Sequence, residues 1–449
     1  MKTIVLLVAV IATTFQLSAQ PAEDTKTAAR LDSILTAYTA RNMFNGSVLV
    51  AKKGTVLLSK GYGSASFTFG IPNKPDTKFR LASVTKQFTA MAIMMLEEQG
   101  KLSVNDPLSK FIPDYPGGNK ITIHQLLNHT SGIPSITANP KFDSIKRFPH
   151  TTLQLIAHFK NLPPDFEPGE QFRYSNSGYI VLSYIIEKIS GSTYAEFISA
   201  NIFQKLGMKN SGYCSMELVT PGFAEGYTQT SEGYRKAAYI DMSIPLGAGG
   251  LYSTTEDMYL WDRALYTEKL VKKSTLDRIF TPSQFGMGYG WFIGDANGSK
   301  LVFHRGRIEG FNTVINRVPD QELCIIILRN VDNQTYFNAN EISMQVMLHQ
   351  PFELPVEHKL AVVDAAVFKK LAGEYMVDSG FVFTVRDSIG KLYLQATGEP
   401  QIQLLPEGEM SYFFFEVNAT IEFVMGKDGK AASLLLRQEG QEIPAMRMR

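Results

Sequence analysis

The chain has 449 residues, 44% hydrophobic and 19% charged, with 44 Lys and Arg against 43 Asp and Glu. That length suits two domains, or one large domain with an appendage, and the composition is that of an ordinary globular protein. A formal net charge of +1 removes any electrostatic case for nucleic acid or an anionic membrane as partner.

Residues 1–19 read as a secretory signal peptide: Lys2, an apolar run from Ile4 to Phe15, and Leu17-Ser18-Ala19 before Gln20 as the cleavage site. The run is too short to span a bilayer comfortably, and no later stretch approaches a transmembrane length. No Cys follows it to carry a lipid. The expectation is export, to the periplasm or the medium, with no integral membrane segment once the signal is removed. Cys214 and Cys324 are the two cysteines. Export permits them to pair, although Cys324, in Leu323-Cys324-Ile325-Ile326-Ile327-Leu328, reads as a small buried hydrophobe. His124 and His129 face different ways on a helix and make no zinc pair, so neither metal nor cofactor is expected.

Thr25–Met43 reads as a polar-faced amphipathic helix. Gly46–Ala51 and Thr55–Ser59, joined through Lys52-Lys53-Gly54, read as a β-hairpin. The next stretch, Leu81–Leu96, is apolar almost all round and reads as a central buried helix that stops near Gly100. Lys86 is its single charge, costly to bury without partners or a function. Ser83 lies one turn before it, on the same face and at the helix N-terminus. A desolvated lysine has a lowered pKa and can take the proton that keeps a serine hydroxyl unreactive. Spacing alone favours an N-cap serine and a snorkelling lysine, a balance that the rest of the chain reverses. Ser388-Ile389-Gly390-Lys391 repeats that spacing in a turn between strands and serves as an internal decoy.

From Leu102 to Phe280 helices alternate with Pro/Gly loops: Ile123–His129 behind Thr122 as N-cap, then Thr151–Lys160, Gly178–Ser190, Tyr194–Leu206 and Thr255–Tyr266. Gly247-Ala248-Gly249-Gly250-Leu251 reads as a Gly-rich loop. Strands resume at Gly288–Ile293, Lys300–His304, Thr313–Val318 and Glu322–Leu328, before a helix over Asn338–His349. The expected class is α+β, an antiparallel sheet built from both ends of residues 24–350 with a helical block inserted. Residues 351–363 read as a linker. Residues 364–449 read as a small all-β, barrel-like domain, with strands at Gly373–Val377, Phe381–Val385, Leu392–Ala396, Tyr412–Val417, Thr420–Met425 and Ala432–Arg437.

Three further stretches carry chemistry. In Tyr174-Ser175-Asn176, in a loop before a helix, a phenol beside an ammonium can relay a proton and an amide can hold both a lysine and a substrate carbonyl. In His304-Arg305-Gly306, at a strand end, the glycine permits close approach of a ligand. Leu126-Leu127-Asn128-His129-Thr130-Ser131-Gly132 reads as a structural helix stop.

Together these residues resemble the serine β-lactamase and penicillin-binding protein superfamily, in its class C-like branch. Ser83-Val84-Thr85-Lys86 matches Ser-x-x-Lys, Tyr174-Ser175-Asn176 matches Tyr-x-Asn, and His304-Arg305-Gly306 stands in the place of Lys-Thr-Gly. The resemblance implies a β-lactamase/transpeptidase-like fold with its site between sheet and helical block. It implies Ser83 as the acylated nucleophile, with Lys86 and Tyr174 sharing the acid and base work. Asn176 would position the substrate amide, His304 and Gly306 would line the substrate strand, and the backbone amides of Ser83 and Arg307 would form the oxyanion hole. The departure is His304, where the family has a Lys that helps bind the carboxylate of β-lactams. His-x-Gly occurs in some D-Ala-D-Ala peptidases and esterase-like members. Because histidine is charged only in part near neutral pH, carboxylate binding through His304 is expected to weaken as pH rises.

The expected function is therefore an exported serine hydrolase acting on a small-molecule or peptide substrate: a D-amino-acid peptide, an ester or, third in order, a β-lactam. The alternative is a non-catalytic cell-wall peptide-binding protein on the same fold. A third reading gives the function to the C-terminal domain, as a partner-binding element or lid. The oligomeric state is left open.

Overall fold

The computed structural model describes residues 4–230, 233–332, 338–352, 354, 358–378, 380–414, 419–438 and 440–448, with side chains from residue 22 on. Lys53 and Gly54, at φ 49° and 79°, reverse the chain between β1 (Gly46–Lys52) and β2 (Thr55–Tyr62). Positive φ at both turn residues gives the twist that suits a tight hairpin. Four strands from the far end of the sequence complete the sheet: β3 (Phe292–Ala296), β4 (Ser299–Ile308), β5 (Phe311–Val318) and β6 (Leu323–Arg329). Their order is β3-β4-β5-β6-β1-β2, antiparallel throughout, with Gly46 opposite Arg329. Every residue of β1 and β6 is buried, as central strands covered on both faces require.

Helix α1 (Ile4–Ala40) runs without a break from the segment read as the signal peptide through the expected amphipathic helix. Its Asp32 accepts from Lys60 Nζ and from the Tyr62 hydroxyl on β2, each at 2.8 Å. Among the described residues no helix is long and apolar enough to cross a membrane.

The helical block packs on the inner face of the sheet. Its centre is α2 (Lys86–Glu98), buried along its length from Lys86 to Leu96. Gly100, at φ 71°, ends it, with Lys101 N–H returning to the Leu96 carbonyl at 3.0 Å. Around α2 pack α3 (Ile123–Leu127), whose Thr122 and Gln125 form a capping box, and α4 (Asn176–Ser190), stopped by Gly191 in the left-handed region. On its other side, α5 (Thr255–Ala264) brings Trp261 against Phe88, ring centroids 4.4 Å apart, and donates its indole N–H to Gln87. Arg317 on β5 and Asp262 on α5 form a buried ion pair at 2.5 Å, with Tyr266, Phe280 and Trp291 around the guanidinium.

Two readings are corrected here. Leu246–Gly249 is a short helix, not a Gly-rich loop. The strand expected at Gly288–Ile293 starts only at Phe292, because Gly288 and Gly290 serve close packing instead: a Cβ there would lie 2.3 Å from Ile279 O and 2.7 Å from Lys86 O. Cys214 and Cys324 are both buried free thiols.

The chain divides into two compact units, the second beginning its continuous run at Gln350. The second unit is a closed antiparallel barrel of eight strands: β7 (Gly373–Asp378), β8 (Phe381–Ser388), β9 (Lys391–Ala396), β10 (Ile402–Pro406), β11 (Ser411–Phe414), β12 (Ala419–Met425), β13 (Ala431–Gln438) and β14 (Gln441–Arg447). The sequence reading had six of them; β10 and β14 are additions. It also lacked α6 (Ala365–Leu371), which is N-capped by Asp364 and puts Phe368 and Leu371 into the barrel core with Tyr375, Tyr412 and Phe423. Part of the expected linker, residues 353 and 355–357, and the end of the strand read at Tyr412–Val417 lie outside the described residues. The decoy Ser388-Ile389-Gly390-Lys391 forms the β8–β9 turn, with Ile389 and Gly390 at positive φ.

Candidate active site

Ser83 sits in a 3-10 turn, Ala82–Thr85, that leads into α2. Ala82, the residue before it, is at φ 49°, a conformation that a non-glycine residue holds only when its neighbours enforce it. The neighbours are visible. Leu81 N–H donates to Leu251 O at 2.8 Å, and Leu81 O accepts from the Thr313 hydroxyl of β5 at 2.7 Å. Both ends of the Leu81 peptide are therefore tied, one to the helical block and one to the sheet.

Lys86 opens α2 with no exposed surface. Its Nζ reaches Ser83 Oγ at 3.2 Å, Asn176 Oδ1 at 2.8 Å and the Ala248 carbonyl at 2.8 Å. The rings of Tyr174 and Tyr179 lie 4.8 and 5.4 Å away. None of these contacts is a carboxylate, so nothing repays the loss of water around a full charge. Burial accordingly holds the amine well below the ordinary lysine range. A neutral amine against a serine hydroxyl is the arrangement a general base needs.

Tyr174 stands over this pair in the loop before α4. Burial raises its pKa, and the adjacent Ser83 hydroxyl offsets part of the rise. Its hydroxyl is buried and has no hydrogen-bond partner of good geometry among the described residues. The ring is held on both sides. His129 stacks on it at 4.3 Å, and the Phe292 ring lies parallel at 6.3 Å. His129 also fixes the loop backbone: its carbonyl accepts from Arg173 N–H, and its Nδ1 accepts from Ser175 N–H, both at 3.1 Å. This role was missed in the sequence, where the stretch around His129 reads as a helix stop. It is that too, with His129 at φ 63° just past α3.

Asn176 is the first residue of α4, which starts two residues earlier than the sequence suggests. Its N–H donates to the Ser135 hydroxyl and its Nδ2 to the Thr137 hydroxyl. With Oδ1 engaged by Lys86, the remaining hydrogen of the amide is the one available to a substrate carbonyl.

The last component is the edge of β4. Pairing with β3 ends at Phe303, so His304 to Ile308 present a strand edge with no β3 partner. Gly306 lies against the Ser83 turn so closely that a Cβ would stand 2.4 Å from Leu81 O and 3.0 Å from Ser83 N. Arg307 follows it and lines, with Ser83, Asn176 and Ala248, a cavity of ≈ 200 Å³. Lys86, Tyr174, His304 and Gly306 are not among its lining residues.

His304 departs from expectation. Its ring is buried, Nδ1 shares a hydrogen with the Arg305 carbonyl at 2.6 Å, and burial near Lys86 pushes its pKa down to about 3. Since a carbonyl can only accept, Nδ1 carries the proton and Nε2 is a lone-pair acceptor, buried without a partner. A ring in that state is neutral near pH 7, so the expected partial charge and its pH-dependent hold on a carboxylate do not apply. Among the described residues no group of three His, Cys, Asp or Glu could hold a metal ion.

The structure thus gathers Ser83, Lys86, Tyr174, Asn176, His304, Gly306 and Arg307 at one seam. The sequence reading lacked His129, the Ala248 carbonyl and the Ser135–Thr137 pair. The helix-stop stretch and the Gly-rich run signalled the first two.

A family model described as Beta-lactamase matches residues 31–345, and one described as a domain of unknown function (DUF3471) matches residues 357–447. Penicillin-binding protein 4* of Bacillus subtilis (strain 168) is 31% identical over 435 residues, covering 91% of this chain and 96% of that protein. The structure of the octameric penicillin-binding protein homologue from Pyrococcus abyssi aligns with a TM-score of 0.66 at 28% identity, over 93% of this chain and 99% of that one. D-amino acid amidase from Ochrobactrum anthropi SV3, complexed with D-phenylalanine, aligns with a TM-score of 0.64 at 24% identity, over 73% and 98%, a likeness of fold.

Proposed function

The chain belongs to the beta-lactamase family, a family of serine hydrolases, and from that premise we propose that it is an exported enzyme that cleaves an amide or ester through an acyl intermediate on Ser83. The observation that carries this reading is the fully buried Lys86 amine, its pKa held down by burial, 3.2 Å from Ser83 Oγ.

The chemistry follows from the positions. Lys86 takes the Ser83 proton as Oγ forms its bond to the substrate carbonyl carbon. The carbonyl electron pair moves onto oxygen, where the N–H groups of Ser83 and Arg307 receive it; one such donor is worth about 2.7–4 kcal/mol. Asn176 Nδ2 holds the neighbouring substrate carbonyl. Collapse expels the amine or alcohol, which takes its proton from the Lys86 ammonium by way of the Tyr174 hydroxyl. Water then attacks the Ser83 ester, giving its proton back through the same pair, and the carboxylic acid leaves. The order of substrates is D-amino-acid peptide, small ester, then β-lactam, in keeping with relatives named as penicillin-binding proteins.

Intact-mass analysis after treatment with a fluorophosphonate tests the reading. One adduct is expected on the native chain and none on Ser83→Ala; an adduct that survives Ser83→Ala refutes it. Parallel turnover of a D-Ala-D-Ala peptide, a nitrophenyl ester and a chromogenic cephalosporin ranks the substrates. Export is tested by fractionating cells and sequencing the N-terminus: material from outside the cytoplasm should begin at Gln20, and a cytoplasmic chain that retains Met1 counts against it.

A further inference from the structure

If His304 is neutral and Lys86 is enclosed, neither offers a charge to a substrate. The cavity beside Ser83 nevertheless has a cation in its wall, and it has only one, Arg307. The guanidinium is exposed and makes no ion pair or hydrogen bond among the described residues. The nearest alternative, Lys146, is already engaged. It bonds Glu309 at 3.0 Å and Asp143 at 2.9 Å, which also accounts for the one carboxylate in the cavity wall. Among the described residues, Arg307 is thus the one charge of the cavity wall without a local counterpart, on the strand whose backbone the substrate must meet.

Apart from Arg307, Ser83, Thr137, Asn176 and Glu309, the side chains of the wall are apolar. Ile136, Phe142, Ile180, Ile240, Ile244 and Ile308 face the ≈ 200 Å³ between Ser83 and Arg307. Branched and aromatic side chains around so small a space favour a compact apolar group over an extended polar chain.

We propose that the Arg307 side chain is the specificity-determining anion receptor of this site, selecting ligands that join a carboxylate to an aromatic or branched aliphatic side chain. The proposal rests on the cavity beside Ser83 being the substrate site. A guanidinium pairs with carboxylate through two parallel N–H···O bonds and keeps its charge across the working pH range, which a histidine does not. The side chain of Arg307, in the wall of the cavity, therefore takes over the duty that the third-motif lysine has in the resemblance.

Binding can be measured without turnover, which separates this proposal from the acyl-enzyme reading. Calorimetric titration of the full chain with N-acetylphenylalanine, both enantiomers, and with the matching carboxamides is the experiment. The acid should bind at least tenfold more tightly than its amide for one enantiomer, a difference of about 1.4 kcal/mol. Arg307→Gln should bring that ratio to about one, and Arg307→Lys should restore part of it. N-acetylglycine, lacking the side chain, should bind more weakly than the phenylalanine acid. Equal affinity of acid and amide in the native chain, no binding of either, or a preference that survives Arg307→Gln overturns the assignment. Fluorophosphonate labelling of Ser83 in the same variants reports whether the site is still assembled; labelling that fails in the native chain counts against the catalytic reading, and the binding ratio against this one.

Discussion

Replacing Gly306 with alanine tests how the strand edge and the Ser83 turn are joined. The added Cβ would stand 2.4 Å from Leu81 O, 2.5 Å from Thr313 Oγ1 and 3.0 Å from Ser83 N. The first two are backbone and a hydroxyl already committed to that same Leu81 oxygen. Nothing flexible can step aside, so the turn must leave β4 until the Leu81 oxygen is at least 3.0 Å away. That movement separates the two N–H groups proposed to receive the carbonyl oxygen. Misplacement of that order costs roughly a hundredfold in rate, about 2.7 kcal/mol of barrier. Overpacking should also lower stability by about 1–3 kcal/mol. The assay is the second-order rate of fluorophosphonate acylation, with urea melts alongside. Gly294→Ala is the control: it lies on β3 of the same sheet, and its Cβ would meet only Phe303 at an ordinary 3.5 Å. If Gly306→Ala acylates at the native rate, the strand edge does not supply the oxyanion donor.

Tyr174→Phe keeps the ring between His129 and Phe292 but removes an unpartnered buried hydroxyl; turnover should fall by about 10²–10⁴ with melting temperature unchanged or higher. His304 sets a pH dependence of stability. Its folded pKa near 3 lies below the ordinary 6.5, so between those values the unfolded chain binds the extra proton. Stability is therefore lost as pH falls from 6.5 towards 3, by on the order of 5 kcal/mol in the limit. Burial holds the His129 pKa down as well, so the measurement is the difference between native and His304→Gln urea melts. The variant's curve should be flatter through that window, and parallel curves would refute the burial argument. Asp262→Ala strands the buried Arg317 guanidinium and should cost about 3–5 kcal/mol by denaturation, while a surface-like loss under 1 kcal/mol would refute it.

The sequence was most legible where one local rule decides. Lys86, alone in an apolar stretch, marks both the buried helix and the proposed base. Thr122, and Lys53 with Gly54, announce a helix start and a hairpin, and the structure has both. It was least legible where tertiary contact overrides the local signal. Gly288 and Gly290 look like strand residues in pattern, yet they exist to let backbones touch. Strand β14 contains Pro444, which argues against a strand unless the barrel supplies the remaining ladder. The state of His304 could not be read at all: its type suggests a titrating charge, and only the burial and the Arg305 carbonyl reveal a neutral ring with a fixed tautomer.

The pairing of Gly46 with Arg329 has a bearing on synthesis. A ribosome releases Ser83 and Lys86 early, when the middle of the sheet and the β4 edge have yet to be translated. Until the codons for β6 have been read, β1 has no neighbour on that side and the sheet cannot close. The central ladder of the sheet is thus a contact of very high sequence separation, and its closure must wait for nearly the whole of the first unit to be translated.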